Sequence, residues 1–263
     1  SIKYEIVIVI IGIYIMFTEN AYYWMKSVLD NDTCNKIIDL GLSKVPKTAT
    51  TKGNLHKKTE KTLSLEDKTL EDIGYSDHLF DIGEKKDYHI RDSEVSWLNN
   101  DWLYDKIIPL LNEANYKAGW KFNIDSFEQF QFTKYNSPGG FYGWHNDSAG
   151  DHYSVYKRFI PGVIPYDEKG NIPSGYVTDK NLVNKVRKLS VTINLCDKHE
   201  YEGGNLKFDF VPHSEKERFH ECVEIRPKGS MIVFPSFIHH QVTPVTKGTR
   251  YSLVLWACGR PFK

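Results

Sequence analysis

Two side chains that can bind a metal ion stand close together in the segment His145-Asn146-Asp147. In an extended chain, residues two positions apart point to the same face, so the imidazole of His145 and the carboxylate of Asp147 can reach one ion. A histidine and an aspartate at this spacing also occur by chance on protein surfaces. The pair alone is therefore a weak signal.

A third candidate ligand, His240, lies far downstream within FPSFIHHQVTPVTKGTRYSLVLW. Two histidines and one carboxylate form the facial triad that binds non-haem Fe(II) and leaves coordination positions open for a cosubstrate and O₂. Zinc usually takes a more closed, tetrahedral set of ligands. A ligand from a distant segment suits such a triad, because a neighbouring strand would supply it. The three residues together predict an iron site.

Arg250 follows His240 on the next predicted strand, and Ser252 shares its face of that strand. A guanidinium inside a β-barrel needs an anionic partner, since an unpaired buried charge is very costly. A carboxylate of a bound small molecule would serve through a bidentate pair, with the Ser252 hydroxyl as a further donor. The alternative is an outward Arg250 that pairs with a surface acid.

Short strands in the second half of the chain must position these residues, after two helices in the first half. Apolar residues at helical spacing predict two helices, at about 32–44 and at 101–115. The first has capping candidates at Asn31, Asp32 and Thr33, and the second has a kink at Pro109. Strands separated by turns predict a sandwich or barrel. The runs rich in β-forming residues are 127–134, 189–195, 205–211, 230–234 and 250–257.

The composition of the 263-residue chain is that of an ordinary globular protein, with a formal net charge of zero. No overall field therefore recruits nucleic acid or an anionic membrane, and we expect neither partner. The cysteines form no C-x-x-C pair, so we expect small buried hydrophobic residues and a reducing, cytoplasmic setting. They are Cys34, Cys196, Cys222 and Cys258.

Two segments of the first half have no role in this scheme. The uninterrupted apolar run at 6–17 is shorter than the roughly 17–25 residues that a transmembrane helix needs. It is interpreted as a buried strand or a non-native leader, with a signal or membrane anchor as the alternative. The Lys/Thr-rich stretch 46–68 predicts a solvated loop, and the cluster His56-Lys57-Lys58 belongs to it.

Three longer motifs occur in an order that resembles the catalytic domain of prolyl 4-hydroxylase-type 2-oxoglutarate oxygenases. They are QFTKYNSPGGFYGWHND (131–147), LSVTINLCDKHEYEGGNLKF (189–208) and GSMIVFPSFIHHQVTPVTKGTRYSLVLW (229–256). The resemblance implies a mainly β fold, a double-stranded β-helix or jelly roll with N-terminal supporting helices. It divides the chain into an apolar leader (1–20) and a single oxygenase domain (21–263), with helical support at 21–125 and the β-helix core at 126–263.

The resemblance also assigns roles to individual residues. It makes His145, Asp147 and His240 the catalytic metal ligands and Arg250 the anchor of 2-oxoglutarate. Tyr135 matches a tyrosine of the cosubstrate pocket, for which the alternative role is that of a packed core residue. Ser252 is the further donor to 2-oxoglutarate. Gly203-Gly204 matches a structural pair that opens a strand.

Some positions depart from the family pattern or leave a choice open. Collagen-type members have lysine where this chain has Arg250, so the resemblance is closer to the arginine-bearing bacterial, viral and oxygen-sensing branches. The excursion 148–188 is longer than in many relatives, and we interpret it as a lid that selects substrate, with a rigid surface insertion as the alternative. His239 competes with His240, but period-two geometry and the H-x-V-T-P-V spacing favour His240.

The aromatic residues beside the first ligand, Tyr142 and Trp144, line the substrate cleft or pack beneath the lid. His152 in the excursion is interpreted as a solvated loop residue rather than a substrate contact. The sequence leaves both aromatic roles open.

The resemblance implies an enzyme that uses Fe(II), 2-oxoglutarate and O₂, with ascorbate as reductant, and that releases succinate and CO₂ as it hydroxylates its substrate. We expect a prolyl residue in a peptide or protein as that substrate. The alternatives are a free amino acid or other small molecule, a cupin-like module that binds metal without turnover, and a membrane-tethered interaction domain that depends on residues 6–17.

Overall fold

Antiparallel strands in the second half of the chain form the body of the molecule, and two helices pack on one side of it. The computed structural model describes residues 20–44, 47–48, 91–148, 154–168, 170–210 and 218–262. The helices are α1 (Asn31–Ser43) and α2 (Asp101–Lys117). The strands up to the first candidate ligand are β1 (Tyr23–Met25), β2 (Lys47–Thr48), β3 (Arg91–Asp92), β4 (Glu94–Leu98), β5 (Ser126–Phe127), β6 (Phe130–Asn136) and β7 (Gly140–His145). The remaining strands are β8 (Lys157–Arg158), β9 (Tyr176–Val177), β10 (Val186–Asn194), β11 (Tyr201–Gly203), β12 (Leu206–Asp209), β13 (Phe219–Glu221), β14 (Met231–Pro235) and β15 (His239–Gly259).

The long strand β15 belongs to two sheets at once. Its second half lies between β10 and β6 in a major sheet of order β1-β14-β10-β15-β6-β4-β2. Its first half pairs with β7 on one side and with β12 and β11 on the other, in a minor sheet. His240 therefore stands in the minor sheet and Arg250 in the major sheet, on one continuous strand. The arrangement fits a jelly-roll core.

The helix α1 begins where a side chain caps it. Asp30 Oδ1 accepts a hydrogen bond of 2.7 Å from the backbone N–H of Thr33, so the cap is Asp30 rather than one of the predicted residues 31–33. The helix packs closely on β6, because a Cβ atom on Gly41 would overlap with the ring of Phe132. Its buried residues join the largest apolar core, which lies between the helices and the major sheet.

The helix α2 covers the same side of the sheet. It continues past Pro109 to Lys117, two residues beyond the predicted end, and buries Leu103, Ile107 and Leu111. Burial of about three such side chains contributes several kcal/mol, since each is worth roughly 1.5–3 kcal/mol. A pair between Lys117 Nζ and Glu113 Oε1 at 2.6 Å lies exposed on the last turn.

The strand β6 is buried on both faces, and this explains its composition. Phe130 and Phe132 pack into the core beneath the helices. Gln131 and Tyr135, on the other face, line an internal cavity. An alternating sequence usually indicates a strand with one wet face. Here the polar face points into the cavity instead.

The first half of the chain gives one correction. β2 pairs with β4 at a position where we predicted a solvated loop. The rest of that stretch, including His56-Lys57-Lys58, lies outside the described residues, as does the apolar run 6–17. Within the described ranges, no helix is both long and apolar enough to cross a bilayer. The four cysteines are free and buried, as predicted, and burial raises the pKa of Cys34 to about 11.

The excursion 148–188 contains β8 and β9, which pair in parallel, and it ends earlier than predicted because β10 already starts at Val186. His152 lies in a part of it that the structure does not describe.

Candidate metal and cosubstrate site

Three potential metal ligands meet where the strands β7 and β15 run side by side. His145 ends β7, and His240 faces it directly in the register of the two strands. Asp147 follows two residues later, and its carboxylate lies between the two rings. Its Oδ1 is 3.8 Å from His145 Nε2, and its Oδ2 is 3.7 Å from His240 Nε2. These distances are too long for hydrogen bonds and leave room for an ion among the three groups.

Hydrogen bonds fix the orientation of both rings. The Nδ1–H of His145 donates to Gly143 O at 2.7 Å, and the Nδ1–H of His240 donates to Ile238 O at 2.9 Å. A carbonyl oxygen only accepts, so the proton of each neutral ring must lie on Nδ1. The Nε2 lone pairs therefore point to the shared space. Outer partners of this kind are typical of metal-binding histidines.

The carboxylate of Asp147 has its own support. The Ser190 hydroxyl donates to Oδ2 at 2.6 Å, and Ser190 Oγ in turn lies 2.9 Å from Ser236 Oγ. The backbone N–H groups of Asp147 and Ser148 both donate to Ser236 O, at 2.8 and 2.9 Å. The turn after β7 is thus fastened to the end of β14. Only one carboxylate oxygen is left without a hydrogen bond from this group.

The protonation states of His145 and Asp147 suit a cation. Burial, together with the nearby His240, lowers the pKa of His145 to about 3. Burial on its own would raise the pKa of Asp147, but His240, His145, Arg187 and the Ser190 hydroxyl outweigh it and lower that pKa to about 2. A histidine must be neutral and a carboxylate ionised to bind a metal, and these are the forms of His145 and Asp147 near neutral pH.

The neighbouring histidine, His239, lies on the other face of the strand. Its Nε2 is 3.1 Å from Asn146 Nδ2, and it is not part of the group of three ligand atoms. Burial lowers the pKa of His239. The structure brings His240 and not His239 to the other two ligands, as the period of the strand predicts.

A cavity leads from the triad to Arg250. Its empty space, with its open mouth, is about 410 Å³. Arg250 is only 2% exposed, and its Nη1 has no hydrogen-bond partner within the described residues. A buried guanidinium nitrogen without a partner is costly unless a bound anion satisfies it. The cavity wall between the sheets also includes Gln131, Thr192, Val242, Ser252 and Val254.

The shape around Arg250 depends on a glycine. Gly204 has φ +61°, and a Cβ atom on it would lie 2.9 Å from both Arg250 Cδ and Val245 Cγ2. The ring of Tyr135, opposite Arg250 in register, lies 5.4 Å from the guanidinium carbon. Tyr135 lines the cavity and also packs in a small apolar core. Ser252 is 1% exposed and lines the same cavity.

Comparison with known proteins agrees with this geometry. Residues 130–258 match the family model described as the 2OG-Fe(II) oxygenase superfamily. This part of the chain is similar to the members of that superfamily. The match confirms the resemblance seen in the sequence motifs, and the superfamily implies Fe(II), 2-oxoglutarate and O₂ as cofactors. The His-Asp-His group and Arg250 all lie within the matched residues 130–258.

Curated relatives of the oxygenase domain are PKHD-type hydroxylases. One from Nitrosomonas europaea is 32% identical over 128 residues, which are 48% of this chain and 41% of the relative. Another, from Hyphomonas neptunium, is 38% identical over 109 residues, which are 40% of this chain and 45% of the relative. The chain thus spans less than half the length of these relatives.

Solved structures share the fold of the oxygenase at low sequence identity. A viral collagen prolyl hydroxylase from Paramecium Bursaria Chlorella virus-1, in complex with 2OG, is 17% identical with a TM-score of 0.51. The alignment covers 91% of this chain and 97% of that one. A prolyl hydroxylase from Trichoplax adhaerens, in complex with a hypoxia inducible factor peptide fragment, is 15% identical with a TM-score of 0.52, over 90% and 83% of the two chains.

Aromatic residues of the oxygenase domain separate into two groups near the triad. Tyr142 stacks on the ring of His145 with 3.5 Å between centroids, and it lines the cavity. Trp144 is not among the cavity residues and contacts Phe219 at 5.5 Å. The sequence treated the two as equivalent. The register of β7 against β15 shifts between Tyr142 and His145, so these two side chains share the cavity face although they are three positions apart, and Trp144 is left off that face.

Several residues at the site escaped the sequence analysis. Arg91 on β3 lies 4.5 Å from the ring of Tyr142 and donates to Gln131 Oε1 at 2.8 Å. Trp256 lines the cavity with a buried Nε1 that has no partner in the described ranges. Ser190 supports Asp147, as described above. A serine or arginine that acts through a distant segment carries no local pattern, so only the contact itself identifies it.

A second group of metal-ligand side chains lies away from the cavity, at His220, Cys222 and Glu224. Tyr22 Oη donates to Glu224 Oε1 at 2.8 Å and lies 3.0 Å from His220 Nε2, which is 3.2 Å from Glu224 Oε1. These are hydrogen-bond distances. Burial raises the pKa of the Cys222 thiol. The group is best explained as a hydrogen-bonded tie between β13 and the start of the described chain.

Proposed function

We propose that the chain is an Fe(II)- and 2-oxoglutarate-dependent dioxygenase that hydroxylates prolyl residues in a peptide or protein. The observation that carries this proposal is a cavity that joins an open-sided His-Asp-His triad to a buried guanidinium whose Nη1 has no partner among the described residues. A simple metal-binding module of the cupin type has no need for that guanidinium. The superfamily match and the PKHD-type relatives support the same activity.

The residues present suit the iron well. His145 Nε2, Asp147 and His240 Nε2 would hold Fe(II) from one side and leave the opposite side to the cavity. Bound iron and 2-oxoglutarate together supply the oxidising chemistry with O₂, and ascorbate keeps the iron reduced. Ser190 and the carbonyls of Gly143 and Ile238 keep the three ligands in place before the metal arrives.

The residues around Arg250 suit a dicarboxylic cosubstrate. Arg250 would form a bidentate pair with the distal carboxylate of 2-oxoglutarate, and Ser252 and Tyr135 would offer hydroxyl groups beside it. The buried position excludes water, which strengthens the charge pair. Arg250 and the metal would then hold the cosubstrate at its two ends, so that it lies in one orientation along the cavity.

The rest of the chain would support this site. The helices α1 and α2 pack on the major sheet and would act as the supporting layer of one oxygenase domain at 21–263. The four free, buried cysteines favour a reducing compartment, such as the cytoplasm. A prolyl residue in an extended peptide would approach the iron ligands past Tyr142, which lines the cavity beside them.

An activity assay tests the proposal directly. Purified protein with Fe(II), 2-oxoglutarate, ascorbate and O₂ should form succinate slowly alone and faster with a proline-rich peptide, which should gain the mass of one oxygen atom. Free L-proline serves as the matched small-molecule probe. If free proline increases the rate of succinate formation and the peptide does not, the substrate is a small molecule rather than a peptide. No succinate in any mixture would contradict the proposal as a whole.

A further inference from the structure

A tyrosine of the excursion reaches the barrel near the cavity. Tyr156 is held at the base of the excursion, because its N–H donates to Lys185 O and its carbonyl accepts from Asn184 N–H, both at 2.9 Å. Its hydroxyl donates to Glu128 Oε1 at 2.7 Å. Burial raises the pKa of this tyrosine, so its hydroxyl stays protonated and remains a donor. Tyr156 thus ties the excursion to the turn between β5 and β6.

The acceptor of this hydrogen bond also holds an arginine. Arg187 at the start of β10 donates from Nε to Glu128 Oε1 at 2.5 Å and from Nη2 to Oε2 at 2.7 Å. The Glu128 side chain is 11% exposed and that of Arg187 is 21% exposed. A two-pronged pair of this kind fixes the plane of the guanidinium as well as its position. The orientation of Arg187 is therefore set by Glu128.

The guanidinium in turn contacts a wall of the cavity. The carbon Cζ of Arg187 lies 3.8 Å from the centre of the Trp256 ring. Trp256 is 6% exposed and lines the cavity with His145, Asp147 and His240. Cation–π contact with a fixed guanidinium favours one position of the indole. The chain of contacts runs from the excursion through a carboxylate and a guanidinium to the cavity.

We propose that Tyr156 is a positioning residue, which acts through Glu128 and Arg187 to hold Trp256 in place as part of the wall that faces the substrate. This inference rests on the proposed function for the identity of the substrate, but not for the contacts. If the ion pair between Arg187 and Glu128 only stabilised the strands, removal of the Tyr156 hydroxyl would not change the position of the Trp256 indole. The excursion would then contribute to specificity through the cavity wall, in addition to any closure.

Fluorine NMR of protein labelled with 5-fluorotryptophan tests the contact chain without a substrate. Trp256→Phe removes one resonance and so assigns it. Tyr156→Phe, which deletes only the hydroxyl, should shift and broaden that resonance while those of Trp102 and Trp120 stay in place. Glu128→Gln should have the same effect. Tyr166→Phe is the matched control, because Tyr166 is an exposed tyrosine of the same excursion. An unchanged Trp256 resonance in Tyr156→Phe overturns the inference.

A second readout measures the coupling of succinate formation to peptide hydroxylation. In Tyr156→Phe we expect kcat/KM for the peptide to fall about 10-fold, since small misplacements near the reacting atoms have large effects on rate. Succinate formed per peptide hydroxylated should rise, while the KM for 2-oxoglutarate stays at the parental value. Unchanged coupling in this variant also overturns the inference. Failure of the parent protein to form succinate would instead contradict the proposed function, and the NMR result stands apart from it.

Discussion

Two groups of histidine and acidic side chains in this molecule look alike in composition and differ in geometry. In the first, the Nε2 atoms of His145 and His240 lie 3.7–3.8 Å from the oxygens of Asp147, and each ring already donates its one N–H, at Nδ1, to a backbone carbonyl. In the second, Tyr22, His220 and Glu224 approach to 2.8–3.2 Å and hydrogen-bond to one another. The first group leaves the Nε2 lone pairs of its two histidines without a hydrogen bond, whereas the polar atoms of the second group bond to one another.

The difference teaches how to separate a metal site from a structural polar cluster. In a metal site the outer partners satisfy the protons and the inner atoms stay apart. In a structural cluster the polar atoms satisfy one another, which avoids the cost of unpaired buried groups. Residue type and proximity alone do not distinguish the two cases.

Removal of a metal ligand should have the largest effect, because it should lower Fe(II) affinity in the first group and not in the second. His240→Ala should weaken Fe(II) binding by at least about 100-fold, because even outer partners of metal ligands are worth roughly 10- to 100-fold. His220→Ala, the matched histidine of the second group, should leave the affinity at the parental value. Anaerobic titration with Fe(II) measures both. Equal losses in the two variants would remove the distinction between the groups.

The cavity beside the first group also contains Arg250, which can bind the second carboxylate of the cosubstrate. Arg250→Ala should weaken 2-oxoglutarate binding by about 2–4 kcal/mol, or roughly 30- to 1000-fold, because a charge-assisted bidentate pair is lost. Arg250→Lys keeps the charge but not the fork, and should give an intermediate affinity. Calorimetry in the presence of Fe(II) measures the dissociation constants. Parental affinity in Arg250→Ala would show that the cosubstrate binds elsewhere.

The support of Asp147 should matter less than the ligands themselves. Ser190→Ala removes the hydroxyl that donates to Asp147 Oδ2, and it should weaken Fe(II) binding by about 10- to 100-fold. Ser43→Ala, which removes an exposed hydroxyl at the end of α1, is the control. The same titration reports both affinities. A loss below about threefold in Ser190→Ala would mean that the serine pair serves the fold alone.

The second group should affect stability and not the metal. Tyr22→Phe deletes the hydrogen bond to Glu224, so the free energy of unfolding should fall by about 0.5–1.5 kcal/mol. Fe(II) affinity should stay unchanged. Urea denaturation gives the first quantity and the anaerobic titration gives the second. If Tyr22→Phe weakens Fe(II) binding and leaves stability unchanged, the assignment of this group is wrong.

The smallest expected effect concerns the pH dependence of stability. Burial on its own would raise the pKa of Glu224, but hydrogen bonds from His220, Tyr22 and the backbone outweigh it and lower the pKa below its ordinary value of 4.5. Its contribution to stability is therefore present above pH 4.5 and lost as the pH falls through the lower value in the folded protein. Glu224→Gln should flatten this part of the stability profile. If urea denaturation gives the same decrease in the free energy of unfolding below pH 4.5 for Glu224→Gln as for the parent protein, the hydrogen bonds of Glu224 do not stabilise the fold.

The ligands of the first group could be predicted from sequence because their signals are local. His145 and Asp147 share a face at a spacing of two, and the motif around His240 sets it apart from His239. Arg250 followed from the need of a buried guanidinium for an anionic partner and from the family resemblance. The single long strand that carries both His240 and Arg250 came only from the structure. The core strands were also predicted, since runs of β-forming residues indicate buried strands whatever their partners. Most strand ends moved by a few residues, but β15 begins at His239 rather than at residue 250, because pairing and not composition sets where a strand ends.

The support of the site could not be predicted, because it comes from contacts between distant segments. Ser190 meets Asp147 across 43 residues of sequence, and Arg187 meets Glu128 across 59. The second group depends on Tyr22, which lies 202 residues from Glu224. Serine, glutamate and tyrosine have many roles on strands, so their identity gives no sign of the partner. Only the register of the sheets brings these residues together.

Anomalous scattering at the iron absorption edge tests the central claim most directly. Crystals grown without oxygen in the presence of Fe(II) and 2-oxoglutarate should show one strong peak among His145 Nε2, Asp147 and His240 Nε2. Density for 2-oxoglutarate should extend from that peak to Arg250. A peak at His220, Cys222 and Glu224 instead, or an iron whose cosubstrate points away from Arg250, would contradict the account.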